Sequence, residues 1–275
     1  MLREETGTIQ AYYDASPRKE WDRLKTRFPY EKYITVRMMD RYIQPEDTIL
    51  DIGGGPGHYT IHYARRGHDV TLLDLSGENV RFAKKKARQY GVRIHAVQGN
   101  ALDLSRFPDA SFDTVFLMGP LYHLMEEKSR VQALREAARV LKPGGCLFSS
   151  FILMFGGVIY GLRDLQESIL SPGEQPFFDV AARVESLAFD AFTYAWMTTV
   201  PEAKALLASV PGLRTETVFG QEGILAPYRN QLMACPKKTR EAWYDFALRL
   251  CERDEYLTHA EHLMIVSRKA ERQEP

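Results

Sequence analysis

The stretch best suited to chemistry is Asp51-Ile52-Gly53-Gly54-Gly55-Pro56-Gly57. It follows an apolar run and precedes a helical one. Glycines at such a turn let the main chain approach a ligand closely and take up positive φ. The helix start behind them offers unpaired N–H groups and the positive end of the helix dipole. That setting suits a nucleotide or an amino-acid carboxylate. Asp74 closes the run Leu72-Leu73-Asp74-Leu75, 23 residues after Asp51. An ionised acid at about that distance is placed to accept both hydroxyls of a ribose through charge-assisted bonds. Asn100, in Gly99-Asn100-Ala101, can accept and donate through its amide at a nucleobase edge, or form a turn. His123, with an ordinary pKa near 6.5, can take a proton near neutrality. Tyr12 and Tyr13 lie in an aromatic N-terminal stretch that can close over a ligand.

These residues need a scaffold. Thr48–Ile52, Asp69–Leu73, Val92–Val97, Thr114–Met118 and Gly145–Ile152 read as buried strands. Helices alternate with them. Val80, Ala83, Ala87 and Tyr90 mark one, closed by Gly91; Val131, Leu134, Ala138 and Leu141 mark another, ended by Lys142-Pro143-Gly144-Gly145. Strands alternating with helices predict an α/β fold with a mostly parallel sheet and helices on both faces. Leu153 to Leu213 carries no obvious central strand. Arg214–Gly220 and His262–Ser267 then complete seven strands, with a helix between them whose apolar face includes Trp243, Phe246 or Ala247, and Leu250. The residues before Thr48, with Tyr12, Tyr13, Trp21, Phe28, Tyr30 and Tyr33, are expected to cap the sheet edge.

Glycine spacing separates two ligand classes. A nicotinamide-binding turn wants G-x-G-x-x-G, and His58 stands where its third glycine belongs. The run Asp51 to Gly57, with glycines two apart at 53, 55 and 57, instead resembles motif I of class I S-adenosylmethionine-dependent methyltransferases. Asp74, Asn100-Ala101, the strand Phe112–Met118 and Arg139-Val140-Leu141-Lys142-Pro143-Gly144-Gly145 follow in that family's order. The style is closest to the ubiquinone- and menaquinone-biosynthesis-like members. Asn100 departs from the family, which usually has an acid there.

The resemblance implies a Rossmann-like three-layer sandwich whose last strand is antiparallel. One methyltransferase domain, 1–275, would comprise an N-terminal helical cap (1–46), a cofactor-binding core (47–152), a helical substrate lid (153–213) and C-terminal strands and helix (214–275). S-adenosylmethionine would contact Asp51, Gly53, Gly54, Gly55, Gly57, Asp74, Leu75, Asn100, Ala101 and Met118. His123 and Tyr13 are the candidate catalytic groups. Pro201 to Leu207 resembles the helix before strand six. The expected reaction is in-line transfer of a methyl group to an O, N, S or C nucleophile of a small molecule. The insertion's Phe155, Tyr160, Phe177, Phe178, Phe189, Phe192, Tyr194, Trp196 and Met197 suggest an apolar or aromatic substrate.

Composition narrows the alternatives. The 275 residues carry 36 basic and 36 acidic side chains, with 45% hydrophobic content. Disorder is excluded, and the missing basic excess argues against a nucleic-acid partner. Met118-Gly119-Pro120-Leu121 lacks the Asn/Asp-Pro-Pro-Tyr/Phe pattern of amino-directed DNA enzymes. A peptide or RNA substrate remains the alternative, then a nicotinamide oxidoreductase or a binder without transfer. Met1–Gln10 lacks the apolar core of a leader, and Cys146–Leu162 is too interrupted to span a bilayer. Cys146, Cys235 and Cys251 lack metal spacing and suggest a reducing cytoplasm. Cys146 is expected in the core, and a homodimer is compatible with this reading. His58 and His62 stand four apart, a spacing that can bind metal, but no acid or cysteine motif accompanies them; no metal is expected.

Overall fold

The computed structural model describes residues 2–190 and 193–271, leaving out the side chains of residues 2–4 and 190. Among the described residues nine strands form one sheet: β1 (Thr48–Ile52), β2 (Asp69–Asp74), β3 (His95–Gln98), β4 (Phe112–Leu117), β5 (Leu141–Leu153), β6 (Leu187–Asp190), β7 (Tyr194–Thr198), β8 (Leu213–Gly220) and β9 (His262–Lys269). The main order is β3-β2-β1-β4-β5-β9-β8. The pairs β1–β2, β1–β4, β2–β3 and β4–β5 are parallel, and β9 is antiparallel to both its neighbours.

Side-chain alternation explains the three layers. Leu50, Ile52, Val115, Leu117, Leu147, Phe151, Leu263 and Ile265 point to one face and pack with Leu134 and Leu206 of its covering helices. Their neighbours Ile49, Phe116, Cys146, Phe148, Met264 and Val266 point to the other and meet Ile34, Met38, Tyr244 and Ala247. Strands buried on both faces read as continuous apolar runs with period-two division between two cores. Cys146 lies in that core, 2% exposed. The chain leaves β1 toward β2 and later returns to β4 on its other edge. Such a reversal opens a crevice at the carboxyl ends of β1 and β4.

The structure differs from the sequence reading in four places. The region 153–213 contains a strand pair, so the sheet has nine strands rather than seven. Ile152 pairs with His262 of β9 and with Met197 of β7. β7 therefore occupies the β4 edge of β5 beyond the last β4 pairing, and β6 flanks it. Strands of four and five residues are too short for periodicity to separate from helix. Phe192 lies outside the described residues.

Second, Pro143-Gly144-Gly145 is not a turn before β5 but an irregular stretch within it. The β4–β5 register shifts between Phe112 and Thr114, and a Cβ on Gly145 would lie 2.6 Å from the Asp113 carbonyl oxygen. Third, the helix Lys237–Leu250 buries Tyr244 and Ala247, while Trp243 and Phe246 are 47% and 42% exposed.

Fourth, the N-terminal segment covers the crevice instead of the sheet edge. Asp14 accepts hydrogen bonds from the Ser76 hydroxyl (2.5 Å) and the Glu78 N–H (3.2 Å), and Trp21 stacks on His58 with ring centres 4.1 Å apart. The helix Pro29–Met39 then packs onto the sheet face through Ile34 and Met38. Among the described residues, no helix is long and apolar enough to cross a membrane.

Candidate active site

The crevice beyond β1 and β4 holds a cavity of about 190 Å3. It is lined by eleven of the twelve residues singled out above: Tyr13, Asp51, Gly53, Gly54, Gly55, Asp74, Leu75, Asn100, Ala101, Met118 and His123. Gly57 is the exception. It caps the helix His58–Ala64 with φ of +89°, and a Cβ there would lie 3.1 Å from that of Ala83. Its place is packing behind the turn rather than the cavity wall.

Loop and acid are tied together. The Gly53 N–H donates to the Leu73 carbonyl at 2.7 Å, and the Gly55 N–H donates to Asp74 Oδ2 at 2.7 Å. Asp74 Oδ1 accepts from the Ser76 N–H (2.9 Å) and the Asn79 side-chain amide (3.2 Å). A carboxylate offers about four lone-pair positions. Three are taken, so one remains on Oδ2 for an incoming hydroxyl. Gripping a second hydroxyl would require the loop to release its N–H. Burial raises the Asp74 pKa despite these donors.

Asp51 sits below the loop, 2% exposed, where its Oδ2 accepts the Thr60 hydroxyl at 2.6 Å. Burial pushes it up to about 6, helped by nearby Asp74 and opposed by Thr60. Gly55 has φ of +57°, and a Cβ built there meets nothing within 4 Å. A side chain at Gly55 would therefore strain the turn and project into open space, as expected where a ligand lies against main chain. Asn100 makes a turn, its amide oxygen accepting the Leu102 N–H at 3.0 Å, and still faces the cavity.

Tyr13 and His123, 110 residues apart, meet here. The Tyr13 hydroxyl lies 2.7 Å from His123 Nε2, and His123 Nδ1 lies 2.8 Å from the Tyr194 carbonyl oxygen. A carbonyl only accepts, so Nδ1 carries the proton and Nε2 is the basic nitrogen that receives the Tyr13 O–H. Burial depresses His123 to about 4 and raises the Tyr13 phenol well above its ordinary value. The pair is thus a neutral imidazole behind a protonated phenol.

A second cavity, about 510 Å3, adjoins the first. Tyr160, Phe177, Phe178, Phe189 and Met197 from the insertion wall it, with Tyr12 and Phe28 from the N-terminal segment. Phe155 is 44% exposed and outside it. Trp196 turns away, packing against Phe151 with the Arg130 guanidinium over its ring at 3.7 Å. Tyr194 contributes its carbonyl to His123.

Tyr13, Glu20, Arg23, Tyr122 and His262 line both cavities. Of these, Glu20 and Arg23 gave no signal in the sequence, and His262 enters the sequence reading only as the first residue of a strand. Arg23 donates twice to Glu31, at 2.7 and 3.1 Å. His262 Nδ1 lies 2.6 Å from Glu222 Oε1, and Glu222 Oε2 accepts the N–H groups of Glu261 (3.1 Å) and His262 (2.9 Å). Burial works against a charged ring, yet the Glu222 carboxylate lifts His262 to about 9. The ligand atoms of Glu31, Glu222 and His262 lie within 4.8 Å of one another, a spacing that can hold a metal ion. Here the cations Arg23 and His262 balance the two carboxylates. His58 is committed elsewhere: its Nε2 meets the Trp21 carbonyl, and burial depresses it to about 3.

A family model described as a methyltransferase domain matches residues 49–145, the stretch that builds the crevice. Residues 49–145 are a methyltransferase domain. The chain is 37% identical over 110 residues to a ubiquinone/menaquinone biosynthesis C-methyltransferase of Vibrio parahaemolyticus, covering 38% of this chain and 40% of that protein. It is 36% identical over 104 residues to a ubiquinone biosynthesis O-methyltransferase of Pectobacterium carotovorum, covering 38% and 42%. The match thus spans less than half the length of these relatives. Its fold is also that of Burkholderia thailandensis 1,6-didemethyltoxoflavin-N1-methyltransferase, solved with bound S-adenosylhomocysteine. That likeness has a TM-score of 0.59 at 16% identity and covers 98% of this chain and 91% of the other.

The cofactor of such a methyltransferase domain is S-adenosylmethionine, and the crevice suits it. The open side of Gly55 leaves room for its amino-acid portion, and the remaining lone pair of Asp74 can take a ribose hydroxyl. Asn100, Ala101 and Met118 face the same cavity.

Proposed function

We propose that the protein is an enzyme that methylates an O, N, S or C nucleophile of a small molecule with an apolar or aromatic part. The observation that carries this reading is the meeting of the two cavities at Tyr13, whose hydroxyl is hydrogen-bonded to His123 in the smaller one. Residues 47–152 would hold the cofactor, residues 1–46 would cover it, residues 153–213 would act as the substrate lid, and residues 214–275 would complete the sheet.

When bound, S-adenosylmethionine supplies a methyl group on a cationic sulfur that departs with the bonding pair as S-adenosylhomocysteine. The protein's work is to align the nucleophile behind that methyl and keep water out. The aromatic wall of the larger cavity serves both ends. A nucleophile that arrives protonated needs a base. Its proton would pass to the Tyr13 oxygen as the Tyr13 proton passes to His123 Nε2, leaving an imidazolium steadied by the Tyr194 carbonyl. A nucleophile that arrives unprotonated would need only the alignment.

The likeness to two methyltransferases of ubiquinone biosynthesis supports a small acceptor. Three free thiols support a cytoplasmic location, and exposed Trp243 and Phe246 offer an apolar face for a homodimer. The test is incubation with S-adenosylmethionine and a panel of small aromatic acceptors, following S-adenosylhomocysteine by chromatography. The reading expects acceptor-dependent product. Calorimetry showing no affinity for S-adenosylmethionine would overturn it.

A further inference from the structure

His262 opens β9, where the two cavities join. Its Nδ1 is engaged with Glu222, which leaves Nε2 as the ring nitrogen that a ligand at the junction could meet. The rings of Tyr122 and His262 have centres 6.4 Å apart, and Tyr122 also touches His123 at 4.7 Å. Two histidines thus flank one tyrosine in opposite states. His123 rests its Nδ1 against the Tyr194 carbonyl. His262 is backed by a fully buried carboxylate that also holds two main-chain N–H groups. Two titratable groups pushed apart by their surroundings mark separate acid and base duties.

The other cations of the larger cavity are engaged or peripheral. Arg23 gives two donors to Glu31 and keeps its Nε 3.6 Å from Glu20. Arg163 is paired with Glu261 and Asp164. Lys19 and Arg27 are exposed at the rim. The charged groups around His262 are Glu222, Glu31, Glu261 and Arg23. Glu222 is spent on His262 itself, and Glu31 and Glu261 are held by arginines.

We propose that His262 is a substrate-binding residue whose Nε2–H donates to an acidic oxygen of the ligand, held ionised while the rest of the molecule lies against the aromatic wall. The ligand class is therefore an apolar molecule bearing an ionisable enol, phenol or carboxyl oxygen. This deepens the methyl-transfer reading and rests on it for the identity of the neighbouring cavity.

The test uses 4-nitrophenol, whose anion is coloured, with the full chain saturated with S-adenosylhomocysteine. Absorbance against pH gives the ionisation midpoint of the bound probe. The expected midpoint lies about 1 unit or more below that of the free probe, as for an acid beside a fixed cation. His262→Gln should return it to the free value, and His123→Gln should leave the shift in place. If His262→Gln fails to fold, nitrogen NMR of the wild-type chain replaces it: the His262 Nε2 signal should move on probe addition and stay protonated. An unshifted midpoint, a shift that survives His262→Gln, one lost only with His123→Gln, an unmoved Nε2 signal, or no binding of the probe would each overturn the proposal. Calorimetry of S-adenosylhomocysteine alone separates the two readings. Failure there sinks the methyl-transfer reading, whereas normal affinity with an unshifted probe sinks only this one.

Discussion

The two adjoining cavities are walled by different materials. The smaller is made largely of main chain and carboxylates: the Gly53–Gly55 turn, the Gly55 N–H on Asp74, and buried Asp51 beneath. The larger is made of side chains: Phe177, Phe178, Phe189, Tyr160 and Met197 on a short helix-and-hairpin insertion. The first positions a ligand through groups that a backbone fixes at one place in the sheet order. The second positions a ligand by shape, through rings that can be exchanged without disturbing the sheet. A common cofactor belongs in the first kind of wall and a particular substrate in the second. Substitutions in the two regions should therefore fail in different ways.

The sharpest break is Gly55→Val. A branched side chain at φ of +57° facing the cavity should abolish S-adenosylhomocysteine binding in calorimetry while circular dichroism stays near wild type. Retained affinity would mean that no ligand approaches this turn. Next comes the Tyr13–His123 pair. His123→Gln should lower kcat by roughly 10²–10⁴-fold for an acceptor that arrives protonated, with cofactor affinity unchanged. Because burial holds His123 near 4, the wild-type rate should keep its basic nitrogen well below pH 6.5, and an acid limb centred at 6.5 would contradict the assignment. Asp74→Ala should weaken cofactor binding by about 1.5–3 kcal/mol, the range for hydrogen bonds to a charged group. An unchanged dissociation constant would remove Asp74 from the site. The smallest effect on stability is expected from Tyr160→Ala. Tyr160 is 47% exposed, so unfolding free energy should change by no more than about 0.5 kcal/mol and cofactor affinity not at all, while KM for the acceptor rises. A change in cofactor affinity there would erase the distinction between the two walls.

The same contrast decides what could be read from the sequence. The crevice was legible because its determinants are local and ordered along the chain. Ile49 to Ile52, the glycines and Asp74 lie in one strand-turn-helix-strand unit, where residue type follows directly from backbone demands. The strand pair Leu187–Asp190 and Tyr194–Thr198 was not legible, since four or five residues carry too little periodicity and their pairing with β5 depends on packing. Tyr13 and His123 were each legible as candidates, but their contact across 110 residues was not. His262 was passed over because its partner Glu222 lies 40 residues away and no spacing rule joins them. Trp243 and Phe246 differ for the opposite reason: large apolar residues at helical spacing usually face the core, and here Tyr244 does so beside Ala247, the alternative that the sequence pattern offered.

The most direct test is a crystal of the protein soaked with S-adenosylhomocysteine. The account predicts density in the 190 Å3 crevice, with the homocysteine part along Gly53–Gly55, a ribose hydroxyl on Asp74 and the sulfur facing Tyr13. Density for the ligand at any other place, or a bare Asp74 beside a ligand bound elsewhere in the fold, would contradict it.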